Sequence, residues 1–198
     1  MDIKWRTNFR YGDNNGLDRL TEVFKDDPIA GLAREIAQNS IDAAIGSGPV
    51  EIDFQMFEIS RNDIPGIDEL TEEIKLTSDS VASNNKDKLK MDSIKESICK
   101  PKLKCLRISD FNTRGLVGVS TNDRNSMFYK LTKGSGDSAK NQYDAGSKGV
   151  GKYATFVNSL TNTVFYSTYT KEEERGHIGI CNLRSRPDVN DEDSLSDG

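Results

Sequence analysis

The chain has 198 residues, 34% apolar and 30% charged, and its 32 acidic against 27 basic side chains leave a formal charge of −5. That suffices for one domain with one sizeable core, and the acidic balance argues against a surface that coats nucleic acid or membrane. No apolar run approaches the ~20 residues of a membrane span. The first 25 residues lack a signal-peptide pattern, and three cysteines without framework spacing predict a reducing, cytoplasmic setting. His177 is the only histidine, which excludes His-rich metal sites and multi-histidine relays.

In chain order, the polar leader carries Trp5, Phe9 and Tyr11, which form either a strand capping the sheet or a segment exchanged across a dimer. Leu17, Leu20, Val23 and Phe24 recur at helical spacing and predict a short helix over 17–25. Asp26-Asp27-Pro28 stops it and starts a second helix over 29–45. Gly46-Ser47-Gly48-Pro49 ends that helix. Val50, Ile52, Phe54 and Met56 alternate with polar residues, the pattern of a half-buried strand. An acidic helix over 67–76 comes next, then a Ser/Asn/Asp/Lys-rich mobile excursion over 77–90, closed by a short helix carrying Ile94 and Ile98. A strand over 103–109 runs into Asp110. Turn and loop follow to 126, then a helix start at 127–131 and a Gly/Ser/Lys-rich flexible stretch over 132–147. The spacing predicts a helix within 150–160 and strands over 163–170 and 178–183, joined by a charged loop. Residues 188–198 read as an acidic tail. Helices and strands in this order argue for an α+β sandwich of one sheet and one helical layer.

Three segments carry candidate chemistry. In Glu35-Ile36-Ala37-Gln38-Asn39-Ser40-Ile41-Asp42-Ala43, residues Glu35, Asn39 and Asp42 fall within about 60° on one helical face, beside the apolar arc. A partly desolvated carboxylate there can deprotonate a water, and an amide oxygen can ligate Mg²⁺; a plain amphipathic helix with polar shoulders gives the same pattern. Asp110, at the end of a strand read as buried, can accept from the exocyclic amine of adenine, or simply cap a turn. In Gly146-Ser147-Lys148-Gly149-Val150-Gly151-Lys152, glycine backbone amides ahead of a helix form an anion cradle, or a flexible hinge. Gly146-x₄-Gly151-Lys152 also matches the start of a P-loop, but Tyr153 stands where that motif needs Ser or Thr. Cys99-x₅-Cys105 is too wide for a usual zinc motif.

Taken together, Glu-x-x-x-Asn-x-x-Asp-Ala, then a strand ending in Asp before a glycine, then Gly-x-x-Gly-x-Gly before a helix, resembles the GHKL ATPase superfamily of gyrase B, the heat-shock chaperones, histidine kinases, MutL and the MORC ATPases. The likeness runs from about Leu17 to Leu183. It is nearest the chaperone and MutL/MORC-like hydrolase branches, since Glu35 is the carboxylate that histidine kinases usually lack. The resemblance implies a Bergerat fold, a mixed β-sheet under a helical layer, over residues 1–187, with a lid at about 117–148 and 188–198 as tail or linker to a further domain. It implies ATP as substrate and Mg²⁺ as cofactor. Glu35 would be the general base and Asn39 the Mg²⁺ ligand; Asp42 and Ala43 would line the pocket. Asp110 would read adenine, with Asn112 and Gly115 forming its turn. Gly146, Lys148, Gly149, Val150, Gly151 and Lys152 would hold the phosphates. ATP-driven lid closure, a homodimer, and a partner protein or C-terminal domain are implied too, with nucleic acid met only indirectly and no membrane. Two further readings stay open: a nucleotide-gated interaction module that does not hydrolyse ATP, and a P-loop-like phosphate-binding protein.

Overall fold

A computed structural model describes residues 5, 8–10, 24, 26–83, 85, 87–121, 123–133, 151–187 and 195–197. The helix expected over 17–25 lies outside these residues except for Phe24. Among them five α-helices and seven strands alternate: β1 (Asn8–Arg10), α1 (Pro28–Asp42), β2 (Glu51–Ser60), α2 (Ile67–Ser80), α3 (Lys88–Ile98), β3 (Lys102–Phe111), α4 (Met127–Thr132), α5 (Tyr153–Val157), β4 (Thr163–Tyr169), β5 (Arg175–Cys181), β6 (Arg186–Pro187) and β7 (Leu195–Asp197). The chain is thus α+β. None of the described helices is long and apolar enough to cross a membrane.

Helix α1 begins as its sequence dictates. The Asp27 side chain accepts from the Ala30 amide at 3.0 Å, and Pro28 occupies the first turn, where a missing N–H costs nothing. The helix ends at Asp42, three residues short of the expectation. Ala43 N still donates to Asn39 O at 3.1 Å, but from its carbonyl onward the chain pairs with the loop after β3: Arg114 N donates to Ala43 O at 2.9 Å, Ile45 N to Asn112 O at 3.0 Å, and Ala44 bridges Thr113.

Where the sequence predicts one mixed sheet, the described strands form three small antiparallel sheets, ordered β1-β7-β6, β2-β3 and β4-β5. The loop after β3 meets β4 through a side chain, the Leu116 amide donating to Thr168 Oγ1 at 2.8 Å. The long β2–β3 ribbon pairs Ile52 with Asp110 and Ile59 with Leu103, and it serves two cores. Ile59 and Leu103, on one face, pack on the α2–α3 cluster of Ile64, Ile67, Leu70, Ile74, Met91, Ile94 and Ile98. Ile108, on the other face, packs on Phe24, Leu32 and Ala154, which join α1 to α5. Between these anchors Phe54 stays 50% and Met56 67% exposed, so β2 is not the half-buried strand its alternation predicts.

The 77–90 stretch is not an excursion. α2 continues to Ser80, and Thr77 and Ser78 are buried. Ser78 Oγ donates to Asp92 Oδ1 at 2.7 Å, and Lys88 Nζ reaches both Ser78 O, at 2.9 Å, and Asp92, at 3.0 Å. Satisfied hydrogen bonds let these small polar groups go inside. The segment read as a tail supplies β7, which pairs with β1 and β6. The Arg186 guanidinium, buried, makes two bonds to Glu73 Oε1 at 3.0 and 2.7 Å and ties β6 to α2. In the leader, Trp5 N donates to Glu69 and its indole meets Phe165 edge-on at 6.0 Å.

Candidate functional site

The three candidate segments converge on α1. Glu35 is half-buried on its inner side. Its carboxylate rests against the backbone of Gly151, which is buried: a methyl group at Gly151 would sit 2.0 Å from Glu35 Oε2 and 2.8 Å from its Cδ. Glycine is what lets the main chain come this close. α5 then runs antiparallel to α1. Ala154 is fully buried beside Leu32, and Asn158 Nδ2 donates to Pro28 O at 3.0 Å, back at the start of α1. Thr155 Oγ1 lies 3.2 Å from the Tyr166 hydroxyl and links α5 to β4. Burial pushes the Tyr166 phenol upward.

The other end of α1 meets the loop after Asp110. Asn112 takes φ of 62°, as its side chain permits better than most, and Gly115 takes 69°. Asn112 Nδ2 donates to Pro49 O at 2.8 Å, locking this turn to the segment that ends α1. The Arg114 guanidinium donates to the carbonyl of Asp42 at the C-terminus of α1. A cation there complements the helix dipole. Arg114→Ala is expected to cost ~0.3–1 kcal/mol, read as a small fall in thermal midpoint with unchanged far-UV circular dichroism.

Two expectations need correction. Asp110 lies within β3, as its next-to-last residue, and is exposed: it shares a face with Ile108, but it stands at the ribbon's end, past the residue of that face that packs on the α1–α5 cluster. The helix expected within 150–160 is five residues long, Tyr153–Val157, too short to carry much of a dipole. Asn39 and Asp42 are exposed, Ala43 half-buried. Lys152 is half-buried at the start of α5, its Nζ 5.2 Å from the Tyr153 ring centroid. Gly146, Lys148, Gly149 and Val150 lie outside the described residues. Of the lid expected at 117–148, residues 117–121 form a loop and Met127–Thr132 a helix.

Thr168 was missed by sequence reasoning. It is the β4 residue that touches the loop after Asp110, with Gly115 packed beside it; nothing local to Thr163–Thr170 sets it apart from Thr163 or Thr170. Cys181 is buried and its thiol is pushed up to about 12 by desolvation, so it stays protonated. Among the described residues no three His, Cys, Asp or Glu side chains group to hold a metal. Comparison with family models, curated proteins and solved structures finds no match for this chain.

Proposed function

We propose that this chain is an ATP-binding and ATP-hydrolysing domain of the GHKL type, its strands and helices arranged as a Bergerat sandwich, with lid closure and homodimerisation driven by ATP and read out by a partner protein or further domain. One observation carries the reading. Two segments far apart in sequence meet the candidate segment of α1 and its end: Gly151 at Glu35, and the Asp110 loop at Asp42–Ile45. An amphipathic helix, a turn-capping Asp and a glycine hinge that arose independently have no reason to share one wall.

The roles follow from the chemistry of each group. Asp110, acceptor-only when ionised, takes a hydrogen bond from the adenine amine, and Asp42 and Ala43 line the pocket beside it. Backbone amides and the lysines of 146–152 hold the β- and γ-phosphates. Glu35 sits where that segment touches α1, orients a water and accepts its proton as the oxygen attacks the γ-phosphorus, releasing ADP and phosphate. Its contact with Gly151 keeps solvent off one side of the carboxylate and fixes its direction.

The donor chemistry fits Mg²⁺. Asn39 is exposed one helical turn from Glu35, so a hard amide oxygen is available to an ion that arrives with the phosphates. When bound, Mg²⁺ neutralises charge on the phosphate oxygens.

Glu35→Ala is expected to bind Mg·ATP like the wild type and to lose hydrolysis, while Asp110→Asn loses binding, measured by calorimetric titration and phosphate release on the full chain. Both variants behaving as wild type would overturn the assignment. ATP binding without phosphate release by the wild type would mark a nucleotide-gated interaction module instead.

A further inference from the structure

The tip of the β4–β5 hairpin grips the segment that leaves the Asp110 loop. Glu174, just ahead of β5, accepts from the Gly118 amide at 3.2 Å through Oε2 and from the Ser120 hydroxyl through Oε1. These donors, the hydroxyl first, hold its carboxyl below the usual range. Val119 lies against Gly176, and the Leu116 amide is taken by Thr168, so each residue from 116 to 120 except Val117 is held by the hairpin. Val117 O accepts from Phe128 N at 3.2 Å, at the start of α4. The tip is itself fixed: Thr170 is buried, its N donates to Glu174 O at 2.9 Å, and its hydroxyl accepts from Glu174 N at 3.2 Å.

We infer that Glu174 is a positioning residue for nucleotide affinity, acting through residues 116–120 on the Asp110 loop; the inference rests on the ATP reading above. The loop from Asp110 to Gly115 contains two left-handed residues and one end zipped to α1. Its other end needs an anchor if Asp110 is to meet the adenine amine in one orientation, and the hairpin tip is that anchor. A carboxylate suits the task because two donors converge on it, one on each oxygen, and an ionised carboxylate has only acceptor sites. Glutamine keeps the length but removes the charge, so the bonds from the Gly118 amide and the Ser120 hydroxyl are no longer charge-assisted and part of the grip is lost. A looser anchor leaves Glu35 and Gly151 untouched, since neither contacts this segment, and therefore acts on binding and not on the chemical step.

The experiment uses the full chain. Hydrogen exchange without nucleotide, Mg·ATP affinity by calorimetry, and steady-state hydrolysis are compared for wild type, Glu174→Gln, Ser120→Ala and Glu172→Gln. Glu174→Gln is expected to speed exchange over 116–120 and to weaken ATP binding about tenfold, the scale of losing charge-assisted bonds, with kcat changed less than about twofold. Ser120→Ala moves both readouts the same way by less, and Glu172→Gln, an exposed neighbour, moves neither. Unchanged exchange in Glu174→Gln, or faster exchange with wild-type ATP affinity, overturns this inference alone. A wild-type chain that binds no ATP overturns the nucleotide reading and this inference together.

Discussion

Gly151→Ala is expected to lower ATP turnover by about 10²–10⁴-fold, the contribution of a positioned general base, while the fold stays intact. The added methyl takes the place of the Glu35 carboxylate, whose Oε2 would otherwise lie 2.0 Å away. The nearest atom is the free end of a flexible side chain, so relief comes by swinging the carboxylate aside and not by moving backbone. Gly151 is not among the positive-φ glycines, so alanine is conformationally acceptable there. Gly→Ala at such a site also trims unfolded-state entropy. Thermal midpoints of the two proteins should therefore lie close together, and ATP affinity should change little. The decisive control is the pair with Glu35→Ala. If Gly151→Ala acts by displacing Glu35, the double variant turns over no more slowly than Glu35→Ala alone. Additive losses would mean that Gly151 serves some other step.

Ile74→Ala is expected to give the largest loss of stability of any variant considered, about 2–5 kcal/mol. Ile74 is 0% exposed on α2, within the cluster of Leu70, Met91, Ile94, Ile98 and Leu183. α3 and the Leu103 end of β3 press on it from fixed positions, held by the Ser78–Asp92–Lys88 network and by Arg186–Glu73. Neighbours so tied cannot collapse fully into the space, which places the cost in the upper part of that range. For a chain of this length the thermal midpoint should fall by about 5–15 °C. Leu89→Ala, at 82% exposed on α3, should shift it hardly at all. Because this cluster and the α1–α5 cluster use opposite faces of the β2–β3 ribbon, Ile74→Ala that is still folded at low temperature should retain ATP affinity.

Much of the site was legible because its signals are local. Asp27-Pro28 and a 3.6-residue apolar period define α1, and Asn112 was readable as a left-handed residue from its side chain alone. The approach of Gly151 to Glu35 is a tertiary fact, expected only through the ordered motifs. What was not legible depends on partners remote in sequence. Alternation in β2 shows two faces but not that packing reaches only Ile52 and Ile59 along it, nor that Asp110 is exposed at the ribbon's end. β7 is three residues long and pairs with Asn8–Arg10 at the other end of the chain, so no local pattern announces it. Ser78 and Thr77 read as mobile by composition and are buried, because hydrogen bonding to α3 compensates their polarity. The early end of α1 has the same origin: Ala43–Ile45 would extend a helix if the loop after β3 did not claim their backbone groups.

The most direct test is a structure of the full chain with Mg²⁺ and a non-hydrolysable ATP analogue. The account predicts the adenine amine on Asp110, the terminal phosphate between Glu35 and the Gly146–Gly151 segment, and Asn39 bound to the ion. An analogue seated away from α1, or touching neither Asp110 nor Glu35, would contradict it.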